Sequence, residues 1–160
     1  MAALALNTWS APNVFWLAAG SAEGATPINA FDNALLDAGV GNLNLVKVSS
    51  VVPTGAVMLD KPMPIGAGTL VPSVYATRHS NVPGERLCSV IGIGLSEDSH
   101  GMIFEHSADS VEHAEGAVRQ MVEEAFSQRG MKLAQLMIRM AEHRVERLGC
   151  TVSAVVLWWR

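Results

Sequence analysis

The chain has 160 residues, of which 49% are hydrophobic and only 16% are charged, and its formal net charge is −4. This length predicts a single domain over 1–160 with a sizeable core. The acidic balance excludes the electrostatic footprint of a nucleic-acid-binding protein, and no apolar run has the length of a membrane span. A chain this apolar has surplus hydrophobic surface, which is usually buried in contacts between subunits. We therefore expect a homo-oligomer.

Two features favour a cytoplasmic protein. Cys88 and Cys150 both lie in apolar segments. Buried free thiols are therefore expected, which fits a reducing compartment. The apolar stretch at 14–19 is not preceded by the basic residues of a signal peptide. A buried first strand over 13–20 is the better interpretation.

The first half of the chain predicts a helix between two strands. After the first strand, a helix begins with Thr26 as N-cap and Pro27 at the first helical position, and it ends at Gly39. Residues 43–52 alternate between apolar and polar positions and predict one strand. Three prolines make 53–68 a loop.

The second half predicts three strands, one long amphipathic helix and a closing strand, at 69–79, 86–95, 101–106, 110–129 and 151–159. Residues 132–148 fit either a helix or a strand, because their apolar positions satisfy both periods. The resulting class is mixed α/β with a largely antiparallel sheet.

The most informative motif is the pair Ser49-Ser50, which ends an apolar alternating run and directly precedes Val51-Val52-Pro53. Most Ser-Ser pairs are solvated turn residues. Here the proline keeps the residue before it out of the helical region, so the chain stays extended just past the serines. A serine hydroxyl held beside a rigid peptide is what an internal acyl shift requires.

Longer segments resemble the pyruvoyl-dependent arginine decarboxylases, in the same order and over nearly the whole chain. They are 24–32 (GATPINAFD), 41–50 (GNLNLVKVSS), 70–73 (LVPS), 102–105 (MIFE) and 147–158. Two departures are Thr54, where the family often has a second proline, and Ala76, where it has glycine. The resemblance implies a four-layer αββα sandwich with 132–148 as a strand. It also implies trimers, or pairs of trimers, with active sites between neighbouring subunits.

The same resemblance implies self-cleavage between Ser49 and Ser50 into a β chain, 1–49, and an α chain, 50–160. Attack of the Ser50 hydroxyl on the Ser49 carbonyl, β-elimination and hydrolysis would convert Ser50 into a pyruvoyl group. This covalent cofactor, without metal or pyridoxal phosphate, forms a Schiff base with the substrate and accepts the electrons left by carbon dioxide. The implied reaction converts L-arginine to agmatine, in polyamine biosynthesis or in acid tolerance.

Three further side chains have roles that the resemblance implies. Asn44 is the candidate oxyanion donor for cleavage, although by itself it reads as a turn residue. Glu105 follows an apolar segment and is the candidate acid that protonates the substrate α-carbon; the alternative is an exposed glutamate at a strand end. Asp32 is the candidate partner of the substrate guanidinium, and its spacing fits a solvated helix aspartate equally well.

Two other functions stay open at this point. A pyruvoyl-dependent decarboxylase of another amino acid, such as histidine, also fits, because Asp32 favours a cationic side chain without fixing its length. The second is a non-catalytic oligomeric protein that is never processed. The five histidines lack the paired spacing of metal ligands, and Gly92-Ile93-Gly94 lacks the context of a dinucleotide site.

Overall fold

Two β-sheets stack face to face, and one helix covers the outer face of each. The structure is a computed structural model that describes residues 10–160, so the first nine residues of the predicted β chain lie outside it. The helices are α1 (Pro27–Asp37) and α2 (Val111–Gln128). The strands are β1 (Val14–Glu23), β2 (Asn44–Lys47), β3 (Val51–Val52), β4 (Val57–Met58), β5 (Leu70–Ser80), β6 (Arg86–Leu95), β7 (Gly101–Ala108), β8 (Gln135–Arg144) and β9 (Gly149–Trp158). The predicted four-layer αββα sandwich is confirmed.

The first sheet has the strand order β2-β5-β9-β1-β4 and the second has the order β3-β7-β6-β8. Among the strand pairs formed by residues 10–160, only the short pairs β1–β4 and β2–β5 are parallel. The prediction of largely antiparallel pairing is therefore confirmed. Helix α1 packs on the first sheet and α2 on the second. Within residues 10–160, neither helix combines the length and apolarity that a membrane crossing needs.

Alternation along the strands divides the core into layers. On β1, Phe15 faces the second sheet, whereas Trp16 and Ala18 pack beneath α1. On β6, Ile91 and Ile93 fill the space between the sheets. Because both faces of these strands are buried, their sequences are nearly continuous apolar runs.

The glycines of Gly92-Ile93-Gly94 serve helix packing. A Cβ atom at Gly92 would collide with Val118 of α2, and one at Gly94 would collide with Val122 and Phe126. Because glycine has no side chain, α2 lies directly on β6. This close approach accounts for the motif.

The buried cysteines agree with the prediction. Cys88 and Cys150 are free thiols, and each is about 1% exposed. Burial raises the pKa of the Cys88 thiol to about 11, so it stays protonated at neutral pH.

Most predicted elements are confirmed, including the α1 start, where the Thr26 side chain accepts a hydrogen bond from the Asn29 amide. The ambiguous segment 132–148 contains strand β8, as the resemblance implied. The prediction of one strand over 43–52 is wrong, because the run divides into β2 in the first sheet and β3 in the second. The predicted loop 53–68 includes the two-residue strand β4.

The Glu23 carboxylate joins the end of β1 to the turn between β8 and β9 through several hydrogen bonds. Glu23 accepts hydrogen bonds from the backbone N–H groups of Glu146, Arg147 and Leu148, at 3.1, 3.0 and 2.7 Å. Its Oε1 also lies 2.6 Å from His143 Nε2. Partial burial acts to raise the pKa of Glu23, but the hydrogen bonds from His143 and the backbone outweigh it and lower the pKa to about 2.

We predict that Glu23→Gln lowers the free energy of unfolding by about 2 kcal/mol at neutral pH, because hydrogen bonds to a charged acceptor are lost. The folded-state pKa lies below the ordinary value of 4.5. The stabilisation is therefore complete above about pH 5 and is lost as the pH falls towards 2. Thermal melting at fixed protein concentration measures both effects. The control is Glu146→Gln, an exposed change of equal charge; equal melting temperatures for the two variants would contradict the prediction.

Candidate active site

The peptide between Ser49 and Ser50 lies where the chain crosses from one sheet to the other. On its N-terminal side, the Val48 N–H donates to the Ser73 carbonyl of β5 in the first sheet, at 3.0 Å. On its C-terminal side, the Ser50 carbonyl accepts from the Ile103 N–H of β7 in the second sheet, at 2.7 Å. The two sheets therefore hold this peptide from both ends.

Glu105 lies on β7, two residues beyond Ile103, and so about 7 Å along the strand from the residue that binds Ser50. Its surroundings differ from the apolar setting expected from the sequence. Glu105 Oε1 lies 3.4 Å from Lys47 Nζ, and the Glu105 side chain is 28% exposed. Glu105 thus lies on the strand that is bonded to Ser50, with a cation beside it.

The side chain of Lys47, the last residue of β2, makes three contacts. Its Nζ donates to the Tyr75 carbonyl at 3.0 Å and lies 4.9 Å from the centre of the Tyr75 ring. The third contact is the ion pair with Glu105. Sequence reasoning missed this role, although one signal was present: a lysine occupies a position where the alternation of β2 expects an apolar side chain.

Asn44 lies at the opposite end of β2. Its Nδ2 donates to the Gly68 carbonyl at 2.8 Å, and its backbone N–H donates to Thr69. An extended strand separates Asn44 from Val48 by about 13 Å. Within one chain the structure therefore does not bring Asn44 to the Ser49–Ser50 peptide.

Asp32 lies on α1, on an exposed face that it shares with Ile28 and Leu36. It forms no ion pair within residues 10–160. The neighbouring Phe31 ring packs against the Tyr75 ring, with centroids 6.3 Å apart. A row of contacts, Phe31–Tyr75–Lys47–Glu105, therefore connects the helix that carries Asp32 with β7.

Comparison with known proteins decides the family. A family model described as pyruvoyl-dependent arginine decarboxylase matches residues 14–159. The chain belongs to this family. The curated relatives in this family are named as decarboxylases, which are carboxy-lyases.

Several curated pyruvoyl-dependent arginine decarboxylases are similar over almost their whole length. The protein of Methanocaldococcus jannaschii is 42% identical over 153 residues, which cover 93% of this chain and 92% of the relative. That of Pyrococcus abyssi is 44% identical, covering 94% of this chain and 98% of the relative. That of Methanococcus maripaludis strain C7 is 36% identical, covering 96% and 95%.

Proposed function

We propose that this chain decarboxylates L-arginine to agmatine and carbon dioxide, with a pyruvoyl group that it makes from its own Ser50. The observation that carries the proposal is the Ser49–Ser50 peptide held between two sheets, in a chain that matches the family over residues 14–159. We also propose that it acts in the cytoplasm, because its two buried cysteines, Cys88 and Cys150, are free thiols.

Maturation uses the atoms of the crossing peptide alone, together with one water molecule. Ser50 Oγ attacks the Ser49 carbonyl carbon, and the acyl group moves from nitrogen to oxygen. The ester then breaks by β-elimination, so that Ser49 leaves as a free carboxylate. The dehydroalanine that remains takes up water and releases ammonia, which leaves a keto group at position 50.

The position of Ser50 suits this chemistry. Ser49 is exposed and Ser50 is half-buried, so the bond is accessible while its flanks are fixed. The hydrogen bonds of Val48 and Ser50 leave the peptide between them as the part that rearranges. Such pre-organisation reduces the entropy lost on reaching the transition state.

When present, the pyruvoyl group supplies an electron-withdrawing keto group that stabilises the charge left by carbon dioxide. The residues around Ser50 fit this group, because Glu105 lies on the strand that binds the Ser50 carbonyl. In the proposal, Glu105 delivers a proton to the substrate α-carbon.

Asp32 is the proposed partner of the substrate guanidinium. It is an exposed carboxylate with no cationic partner within residues 10–160. A guanidinium forms bidentate, charge-assisted bonds with a carboxylate, which an uncharged side chain does not offer. Because an imidazole lacks the two parallel N–H groups of a guanidinium, this bidentate pairing supports arginine over histidine as the substrate.

The proposed site is completed by a neighbouring subunit. Four of the clefts among residues 10–160, of about 270 to 460 Å³, lie away from Asp32, Ser50 and Glu105. Apolar side chains around the crossing are 36% to 66% exposed: Val46, Val48, Val51 and Leu70. We therefore propose a trimer, or a pair of trimers, that covers these residues. In this assembly a neighbouring subunit supplies Asn44 as the oxyanion donor for cleavage.

The function is tested by assaying purified wild-type protein with arginine, histidine, ornithine and lysine, and measuring carbon dioxide and amine products. We expect agmatine from arginine as the main product.

Two variants test the proposed roles of Ser50 and Glu105. Ser50→Ala should remain one chain and be inactive. Glu105→Gln should still be cleaved but lose turnover by about 100-fold or more, because proton delivery is lost. A preference for another amino acid, or turnover by uncleaved Ser50→Ala, would contradict the proposal.

Val48→Pro is predicted to slow maturation about fivefold, because it removes the N–H group that donates to Ser73 and so costs about 1 kcal/mol. The rate is measured as the loss of full-length chain on a denaturing gel. Val48→Ala keeps the N–H group and should mature at the wild-type rate. Equal rates for the two variants would mean that the tether does not assist cleavage.

Asp32→Asn is predicted to raise the KM for arginine about 10-fold or more, because the charge-assisted bonds to the guanidinium are lost. Cleavage should be unaffected. Steady-state kinetics with matured protein measure the change. Asp37→Asn is unsuitable as a control because Asp37 accepts from the Ser21 N–H, so Asp60→Asn in the loop before β5 is the control. An unchanged KM would remove Asp32 from the site.

A further inference from the structure

Lys47 has an ammonium group fixed in place at the edge of the first sheet. Strand β2 ends at Lys47, so the Tyr75 carbonyl on β5 has no partner from β2, and Lys47 Nζ takes that place at 3.0 Å. The Tyr75 ring lies 4.9 Å from Nζ, within the range of a cation–π contact. Two contacts from one residue of β5 thus hold a flexible side chain in one direction.

The third contact points across to the second sheet. Lys47 Nζ lies 3.4 Å from Glu105 Oε1 on β7. The side chains are 51% and 28% exposed, so Glu105 is the more sheltered partner. The ion pair therefore bridges the two sheets at the point where the chain crosses between them.

Within residues 10–160, Lys47 is the cation that forms an ion pair with Glu105. Arg139 of β8 lies in line with Glu105 but one strand farther away, beyond Ile91. On β6 the residue opposite Glu105 is the apolar Ile91. His106 follows Glu105 on β7, and alternation places it on the other face of the strand. The uncharged Tyr75 lies on the first-sheet side, behind Lys47. Lys47 is therefore the cation in direct contact with the Glu105 carboxylate.

We infer that Lys47 is a positioning residue for the reaction: it holds Glu105 ionised and aimed, so that Glu105 first accepts a proton from the substrate and later returns it. The inference rests on the proposed function. Arginine arrives with a protonated α-amine, which must lose that proton before it reacts. A neighbouring ammonium favours the ionised carboxylate that can accept it.

The proton balance closes with the substrate's own ammonium proton and one proton from water. Glu105 takes one proton from the α-ammonium group of arginine. The bond from the α-carbon to the carboxylate breaks and carbon dioxide leaves. The same proton then forms the new C–H bond at the α-carbon, so that Glu105 is again ionised beside Lys47. The amine of agmatine takes its proton from water on release.

The test compares Lys47→Met, which removes the charge and keeps the stem, with Lys47→Arg, which keeps the charge. For Lys47→Met we expect the acid limb of the kcat/KM profile to move up by ~0.3–0.7 pH unit. We also expect kcat to fall about tenfold with little change in KM. Lys47→Arg should restore the acid limb. Lys132→Met, at an exposed lysine before β8, is the control for charge alone.

A second readout does not depend on turnover. In the uncleavable Ser50→Ala chain, carbon NMR of the Glu105 side-chain carboxyl gives its titration midpoint directly. We expect Lys47→Met to move this midpoint to higher pH and Lys47→Arg to leave it in place. If Lys47→Met fails to fold, Lys47→Gln makes the same neutral change with a polar end.

The two proposals fail in different ways. A wild-type protein that is neither cleaved nor active overturns the proposed function. An active wild type, together with a Lys47→Met variant whose pH profile and Glu105 titration are unchanged, overturns the role of Lys47 alone.

Discussion

The passage of the chain from one sheet to the other within three residues is the constraint on which the site depends. Val48 is bonded to the first sheet and Ser50 to the second, so the position of the peptide between them is set by how the sheets stack. That stacking is fixed by an apolar core that includes Val52 just beyond the crossing. A closely packed core yields little, and the Ser49–Ser50 bond is therefore held in one arrangement.

The same crossing brings residues from separate layers together. Lys47 belongs to the first sheet and Glu105 to the second, and their ion pair lies beside the crossing. Through Tyr75 the contacts extend to Phe31 on α1, next to Asp32. A site assembled from three layers is defined only when all of them are packed, which couples the proposed chemistry to complete folding.

The sequence predicted the elements with strong local signals and missed those set by tertiary pairing. Thr26 and Pro27 located the start of α1, because capping is a local interaction. The break in 43–52 was missed, because apolar alternation continues through it while the hydrogen-bond partners change sheet. Among the site residues, Ser50 is bonded to the strand that carries Glu105, whereas Lys47 was overlooked because its partners are distant in sequence.

The central claim is that the bond between Ser49 and Ser50 is the one that breaks to create the reactive group. Intact-mass measurement of the purified protein under denaturing conditions tests it most directly. The account predicts two fragments, 1–49 and 50–160, with the larger one lighter by one ammonia than the same fragment beginning with serine. A single unbroken chain that still releases agmatine, or a break at any other bond, would contradict the account.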